Sequence, residues 1–376
     1  MDCKKPIKYI VESAFLSDCV GMSKPLNMAE LRTDLNGLFE VRPLVYWTDF
    51  LLSLTIGYFC FFYSQQLPLS PLFFTLLLVS ALTLYRAVIF IHEIAHARLR
   101  LPSFTVGWNL LCGIPLGVPS FIYYQSHLLH HHSNTYGTEK DGEYIPFNGL
   151  PHKEIFKYFV LSALAPFLMM GRFSLLTFPS YFIPSLRRWL VRHGSSLVIE
   201  TRFVGEFPQG RDKIDWLYQE PLTALVWTGI MVGLACGKIP LNSFLCFLGL
   251  MVFLQLVNAV RTLAAHRWLN ASLKTLTFEQ QYLDSTNLMG KGVHGLINTL
   301  VAPVGLRYHA LHHLFQGLPY HALGEAHARL SDKLPKESNF FLADEISLYS
   351  ALKHLWKHSD SVPRVELPQL ENNCLT

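Results

Sequence analysis

Residues 70–99 read SPLFFTLLLVSALTLYRAVIFIHEIAHARL, and two features of this stretch govern how the rest of the chain is read. Between Ser70 and Ile91 the only charged residue is Arg86. A helix rises about 1.5 Å per residue, so an apolar run of this length crosses a hydrocarbon core of about 30 Å. Directly after it, His92, Glu93 and His96 fit H-E-x-x-H. In that pattern two histidines one turn apart bind zinc, and the glutamate is the general base of a metalloprotease. The same spacing serves any metal that accepts imidazole, so residues elsewhere must decide.

Bulk composition supports the membrane reading. Of 376 residues, 51% are hydrophobic and only 15% charged, which is unlike a soluble globular chain. The net charge of +4 is spread without a basic block, so no nucleic-acid partner is expected. Seven cysteines are scattered without a C-x-x-C pair, and no disulfide framework is expected. The first forty residues hold no uninterrupted apolar run, so they are expected to stay cytoplasmic as an uncleaved segment.

The pattern predicts an all-α integral membrane fold with four transmembrane helices in two hairpins. The first pair is about 45–64 and 70–91, and the second about 221–237 and 241–260. The turn QQLPL has no lysine or arginine and the turn KIP has only Lys238, so both are expected to face outward. The remainder forms a cytoplasmic helical cap, on the inner membrane in a bacterium. Pro166, Gly171, Arg172, Pro179 and Pro184 interrupt a further apolar stretch, about 155–185, which is therefore expected to be interfacial or re-entrant. The expected division is a cytoplasmic segment 1–40, a membrane domain 41–335 and a polar cytoplasmic tail 336–376.

Histidines cluster at the expected cytoplasmic ends of these spans. His92 and His96 follow the second. QSHLLHHHSNT (125–135) supplies His127, His130 and His131 at i, i+3 and i+4, positions that share one side of a helix. RTLAAHRWLN (261–270) places His266 beyond the last span, and RYHALHHLF (307–315) repeats the spacing with His309, His312 and His313. Nine imidazoles exceed what one four-coordinate zinc takes up and suit two metals with open positions. His132 leaves a second register, His127, His131 and His132, open.

This ordered set, H-x-x-x-H, H-x-x-H-H, a lone histidine and a second H-x-x-H-H, resembles the membrane fatty acid desaturase and hydroxylase family over roughly 40–335, and YHALHHLFQGLPYHALGEAHARL (308–330) is especially like its bacterial members. The resemblance implies a non-haem centre of two irons held by His92, His96, His127, His130, His131, His266, His309, His312 and His313, with O2 as co-substrate. It implies desaturation of a fatty acyl chain or acyl lipid. A lipid hydroxylase or carotenoid-modifying oxygenase of the same family is the alternative. Where some animal members carry an asparagine one turn before the lone histidine, this chain has Thr262, with Asn258 a turn further back. No His-Pro-Gly-Gly haem segment is present, so electrons are expected from a separate donor, a ferredoxin or a b-type cytochrome with its reductase.

An intramembrane zinc protease built on His92, Glu93 and His96 would leave seven of the nine histidines unused. Glu93, Asp141, Glu143, Asp284 and Asn287 are candidates to accept the second ring N–H of a ligating histidine. No G-x-S-x-G elbow or phosphate-cradling glycine loop is found.

Overall fold

A computed structural model describes residues 26–359. Most of segment 1–40, the end of the tail, and Cys3, Cys19 and Cys374 lie outside the described residues; Cys60, Cys112, Cys236 and Cys246 are free thiols.

The fold is mostly helical. Helix α1 (Met28–Asp34) is capped by the Asn27 side chain, and α2 (Pro43–Ser64) starts with proline in its first turn, where a missing N–H costs nothing. Helix α3 (Pro71–Ala97) is capped by Ser70 and lies antiparallel to α2. Ser80 Oγ donates to Gly57 O at 2.8 Å, Arg86 pairs with Asp49, and Tyr46 bonds Glu93. Gly57 is what lets the two axes approach: a Cβ there would stand 2.6 Å from Leu84 Cγ. At 27 residues α3 is about 40 Å long, some 10 Å more than a hydrocarbon core of about 30 Å.

Four helices are long and apolar enough to cross a membrane: Pro43–Ser64, Pro71–Ala97, His152–Ser180 and Leu241–Ala265. Three correspond to the expected spans. The fourth does not. The stretch at about 155–185, expected to be interfacial or re-entrant, forms one continuous run: α6 (His152–Gly171), a π-helical turn (Arg172–Leu176) and α7 (Thr177–Ser180). Pro166 stays inside it, and the π turn absorbs the change of register that was expected to break it. The segment at about 221–237 is not among the four. Its helix, Gly210–Ala235, opens with Arg211, Asp212, Lys213 and Asp215 and carries Glu220 beside Pro221. The apolar remainder rises only about 22 Å.

Between these lie α4 (Pro102–Trp108), followed by a π turn at Asn109–Gly113, α5 (Phe121–His131) and α8 (Pro184–His193). Next come α9 (Gly210–Ala235), α10 (Leu241–Ala265) and α11 (Phe278–Asp284). α10 packs along α6. Arg172 and Glu220, both buried, form an ion pair at 2.5 Å that Arg187 joins at 2.7 Å. It fixes the π turn to α9. Gly117, at φ +72°, turns the chain where a Cβ would meet the Trp227 ring at 2.9 Å.

The C-terminal third folds back on the same end of α3 and α10. It contains β1 (Asn287–Leu288), α12 (Gly292–Val301), α13 (His309–Leu314) and α14 (Tyr320–Lys333). β2 (Asp344–Glu345) pairs in parallel with β1, and α15 (Leu348–His358) packs on α10. The described part of the expected tail is therefore docked, with Ala351 and Leu355 buried.

Candidate metal centre

Four chain segments bring the nine histidines together. α3 supplies His92 and His96, α5 supplies His127, His130 and His131, and α13 supplies His309, His312 and His313. His266 ends α10 and makes an isolated bridge to Ser285, just after α11. The rings form two groups able to hold a metal ion. His92, His96, His127, His131 and His312 make one, and His130, His266, His309 and His313 the other; within each, the candidate ligand atoms lie within 4.8 Å of one another.

The split follows helix geometry. At about 100° per residue, positions i and i+4 stand about 40° apart while i+3 and i+4 diverge by about 100°. His127 and His131 therefore face one group together and His130 turns to the other; His309 and His313 pair while His312 crosses over. Each H-x-x-H-H thus feeds both groups, rather than presenting three ligands to one face. His132 caps the helix end, exposed and in neither group.

The Nε2 atoms of His96 and His127 are 2.9 Å apart, and those of His96 and His312 3.1 Å. In the second group the Nε2 separations are 3.2 Å for His130 and His266, 2.9 Å for His266 and His309, and 3.2 Å for His309 and His313. Ligands at about 2.1 Å from a metal stand about 3 Å apart at neighbouring octahedral corners. Both ring nitrogens of His92 and of His131 are buried without a hydrogen-bond partner. Buried groups so placed cost about 1–3 kcal/mol each unless something else binds them. Burial, aided by neighbouring histidines, holds His127, His131, His266, His309, His312 and His313 well below the ordinary imidazole pKa. They are neutral at physiological pH, the form that ligates. The residues fit two metal ions.

The outer ring nitrogens are held in turn. His130 Nδ1 lies 2.9 Å from Asp141 Oδ2, and His127 Nδ1 3.1 Å from Glu143 Oε2. Burial opposes charge on His130, but the Asp141 carboxylate overcomes it and raises the pKa. Burial pushes Glu143 up to about 7. His266 Nδ1 is 3.0 Å from the Tyr136 hydroxyl, which donates to Asp284 Oδ2 at 2.8 Å, so the tyrosine oxygen is left to accept from the histidine. Tyr144 donates to the same Asp284 oxygen. Such carboxylate partners fix ring orientation and raise ligand basicity. Two residues on, Trp268 adopts φ 61°, a conformation costly for a bulky side chain, and is held there by full burial and an indole bond to Leu263 O.

Of the acids singled out in the sequence, Asp141 and Glu143 contact the histidines and Asp284 acts through Tyr136. Asn287 instead accepts from Leu311 N and donates to Asp344, fixing α13 from behind. Glu93 faces away: its Oε2 accepts from the Tyr46 hydroxyl at 2.5 Å and from Tyr320 N at 3.1 Å, and its Oε1 is 3.8 Å from His92 Nδ1, beyond hydrogen-bond reach. A protease base aimed at a metal-bound water needs the opposite orientation. Tyr136, Tyr144 and Ser285 were not singled out in the sequence, since neither spacing nor charge distinguishes them.

A cavity of about 200 Å³ reaches the site. Tyr85, Ile89, Val118, Leu161, Met251 and Leu254 line it together with His92, His127, His130, His266 and His309.

Residues 68–342 match the fatty acid desaturase family. The chain is also 37% identical over 321 residues to a "Ceramide hydroxylase" of Caulobacter vibrioides (strain NA1000 / CB15N), an alignment covering 85% of this chain and 90% of that protein. With the match to most of the chain and the relative at this identity, the protein belongs to the fatty acid desaturase family, as its histidine spacing had implied.

Proposed function

We propose that the protein is a membrane-bound, oxygen-dependent lipid hydroxylase whose nine histidines hold two non-haem irons, acting on a ceramide-like lipid. The observation that carries this reading is the pair of histidine groups abutting one apolar cavity. Acyl desaturation is the first implication of the histidine pattern. The relative named for ceramide hydroxylation, aligned over most of both chains, favours the hydroxylating alternative.

When bound, the irons supply the O2 and redox chemistry that no side chain can perform. The balance is R–H plus O2, two electrons and two protons giving R–OH and water, with electrons from a separate ferredoxin or b-type cytochrome system. The chain's own work is to bind and orient. Asp141, Glu143 and the Tyr136–Asp284 pair hold the rings of His130, His127 and His266. The apolar walls align an alkyl chain and exclude bulk water, which favours one methylene over the rest. The lysine and arginine pattern supports a site on the cytoplasmic side.

The test is anaerobic purification in detergent with metal counted by elemental mass spectrometry, then lipid analysis after expression in a host lacking such enzymes. About two irons per chain and a lipid product gaining one oxygen are expected. A product that has lost two hydrogens makes the protein a desaturase. One zinc without iron, after excluding zinc displacement during overexpression, overturns the reading.

A further inference from the structure

Along α10, Gln255, Asn258, Arg261 and Thr262 recur at helical spacing on a helix otherwise apolar enough to cross a membrane, and all four line the cavity together with the histidines. Arg261 is the anomaly among them. Its Nη2 donates to Asn258 Oδ1 at 2.9 Å and Tyr85 lies beside it, but Nε is buried without a hydrogen bond, and no carboxylate among the described residues lies within ion-pair distance, Glu143 of the same cavity acting on it only from farther off. A guanidinium beside an apolar wall, near the end of a helix long and apolar enough to cross a membrane, is expensive, and such residues mark substrate sites. Its fork of N–H donors matches an oxygen acceptor.

Building on the hydroxylase reading, we infer that Arg261, steadied by Asn258, is a specificity residue that binds the carbonyl oxygen of an amide-linked lipid, so that the oxidised carbon lies within a few bonds of the polar group. The size of the cavity carries the second half. About 200 Å³ is below the roughly 300–1,000 Å³ of pockets that enclose a drug-sized ligand. Arg261 and the histidines line this one small cavity, so a carbonyl held on Arg261 leaves only the first carbons of the chain to reach the site.

The experiment measures binding and turnover of two lipids on the iron-loaded protein: a ceramide, and a reduced, uncharged analogue in which a –CH2–O– ether link replaces the amide. Binding is read without an electron donor, so it does not depend on turnover. The native protein is expected to bind the ceramide about 10- to 100-fold more tightly, the range for a charge-assisted hydrogen bond to a buried acceptor. Arg261→Met is expected to erase this preference while keeping two irons and native affinity for the reduced lipid, and Arg261→Lys to restore part of it. The hydroxyl should enter near the amide. Equal binding of both lipids by the native protein, a preference that survives in Arg261→Met, or a hydroxyl placed far along the chain overturns the inference. If ceramide binding depends on Arg261 but no oxygen is inserted, the hydroxylase reading fails, and with it the placement of the oxidised carbon, while the assignment of Arg261 to the carbonyl stands.

Discussion

Replacing Asp141 by asparagine tests the metal centre through a residue that touches only one of the two histidine groups. Asp141 is fully buried and accepts three hydrogen bonds: His130 Nδ1 at 2.9 Å and Gly137 N at 2.8 Å on Oδ2, and Glu143 N at 2.9 Å on Oδ1. All three partners donate. The amide has one oxygen, so its NH2 meets at least one N–H in either orientation. The better orientation keeps the oxygen toward His130 and leaves Glu143 N–H unpaired, at a cost of about 1–3 kcal/mol. The bond to His130 persists but loses its charge assistance, roughly half its strength. Loss of such a partner typically weakens metal binding by about 10–100-fold. Protein loaded anaerobically with two equivalents of ferrous iron would be challenged with graded chelator and the retained iron counted. Asp141→Asn is expected to release one iron, that of His130, His266, His309 and His313, at about 10–100-fold lower chelator concentration, and the other at the native concentration. Release of both at the native concentration refutes the role given to Asp141. Simultaneous early loss of both refutes the division into two groups.

The register of the second histidine motif is open to a direct check: His132→Ala, at an exposed position, should keep two irons by elemental analysis, whereas His131→Ala should not. Glu220→Ala strands the buried Arg172 guanidinium beside Arg187 and should cost about 3–5 kcal/mol, read as a marked fall in thermal inactivation temperature in detergent; an unchanged temperature contradicts the pair's structural role. Gly117→Ala combines a left-handed backbone with a 2.9 Å approach to the Trp227 ring. The backbone term alone is about 1–2 kcal/mol, so reduced yield and stability are expected, and recovery with Trp227→Leu would assign the remainder to the ring contact.

What the sequence conveyed depended on how local the signal was. Each histidine motif lies within one helix turn or two, so spacing with the family resemblance pointed to the nine rings that the structure brings together, and left only the choice between His130 and His132 open. Their partition between two groups was not legible, because His130 and His131, or His312 and His313, are neighbours in the chain yet point about 100° apart once helical. Partners through space were harder. Asp141 and Glu143 stood out as acids near a motif, but Tyr136 reaches His266 across 130 residues of chain, and nothing in its surroundings signals the contact. The unbroken helix at 152–180 has a similar cause. Prolines and a glycine in 155–185 predict a break, but Arg172 finds Glu220 in a distant helix, and the π turn is held rather than broken.

The contact between His96 and His312 joins residues 216 positions apart. Synthesis at about 5–20 residues per second separates their appearance by on the order of ten to forty seconds. Throughout that interval the nascent chain already displays His92 and His96 one helical turn apart, a two-imidazole site of the kind zinc fills readily and binds more tightly than ferrous iron does. Under the two-iron proposal, the full set of nine ligands exists only once the last histidines are made. Metal content then depends on timing as well as affinity: excess free zinc during translation is expected to lower the iron recovered with the purified protein.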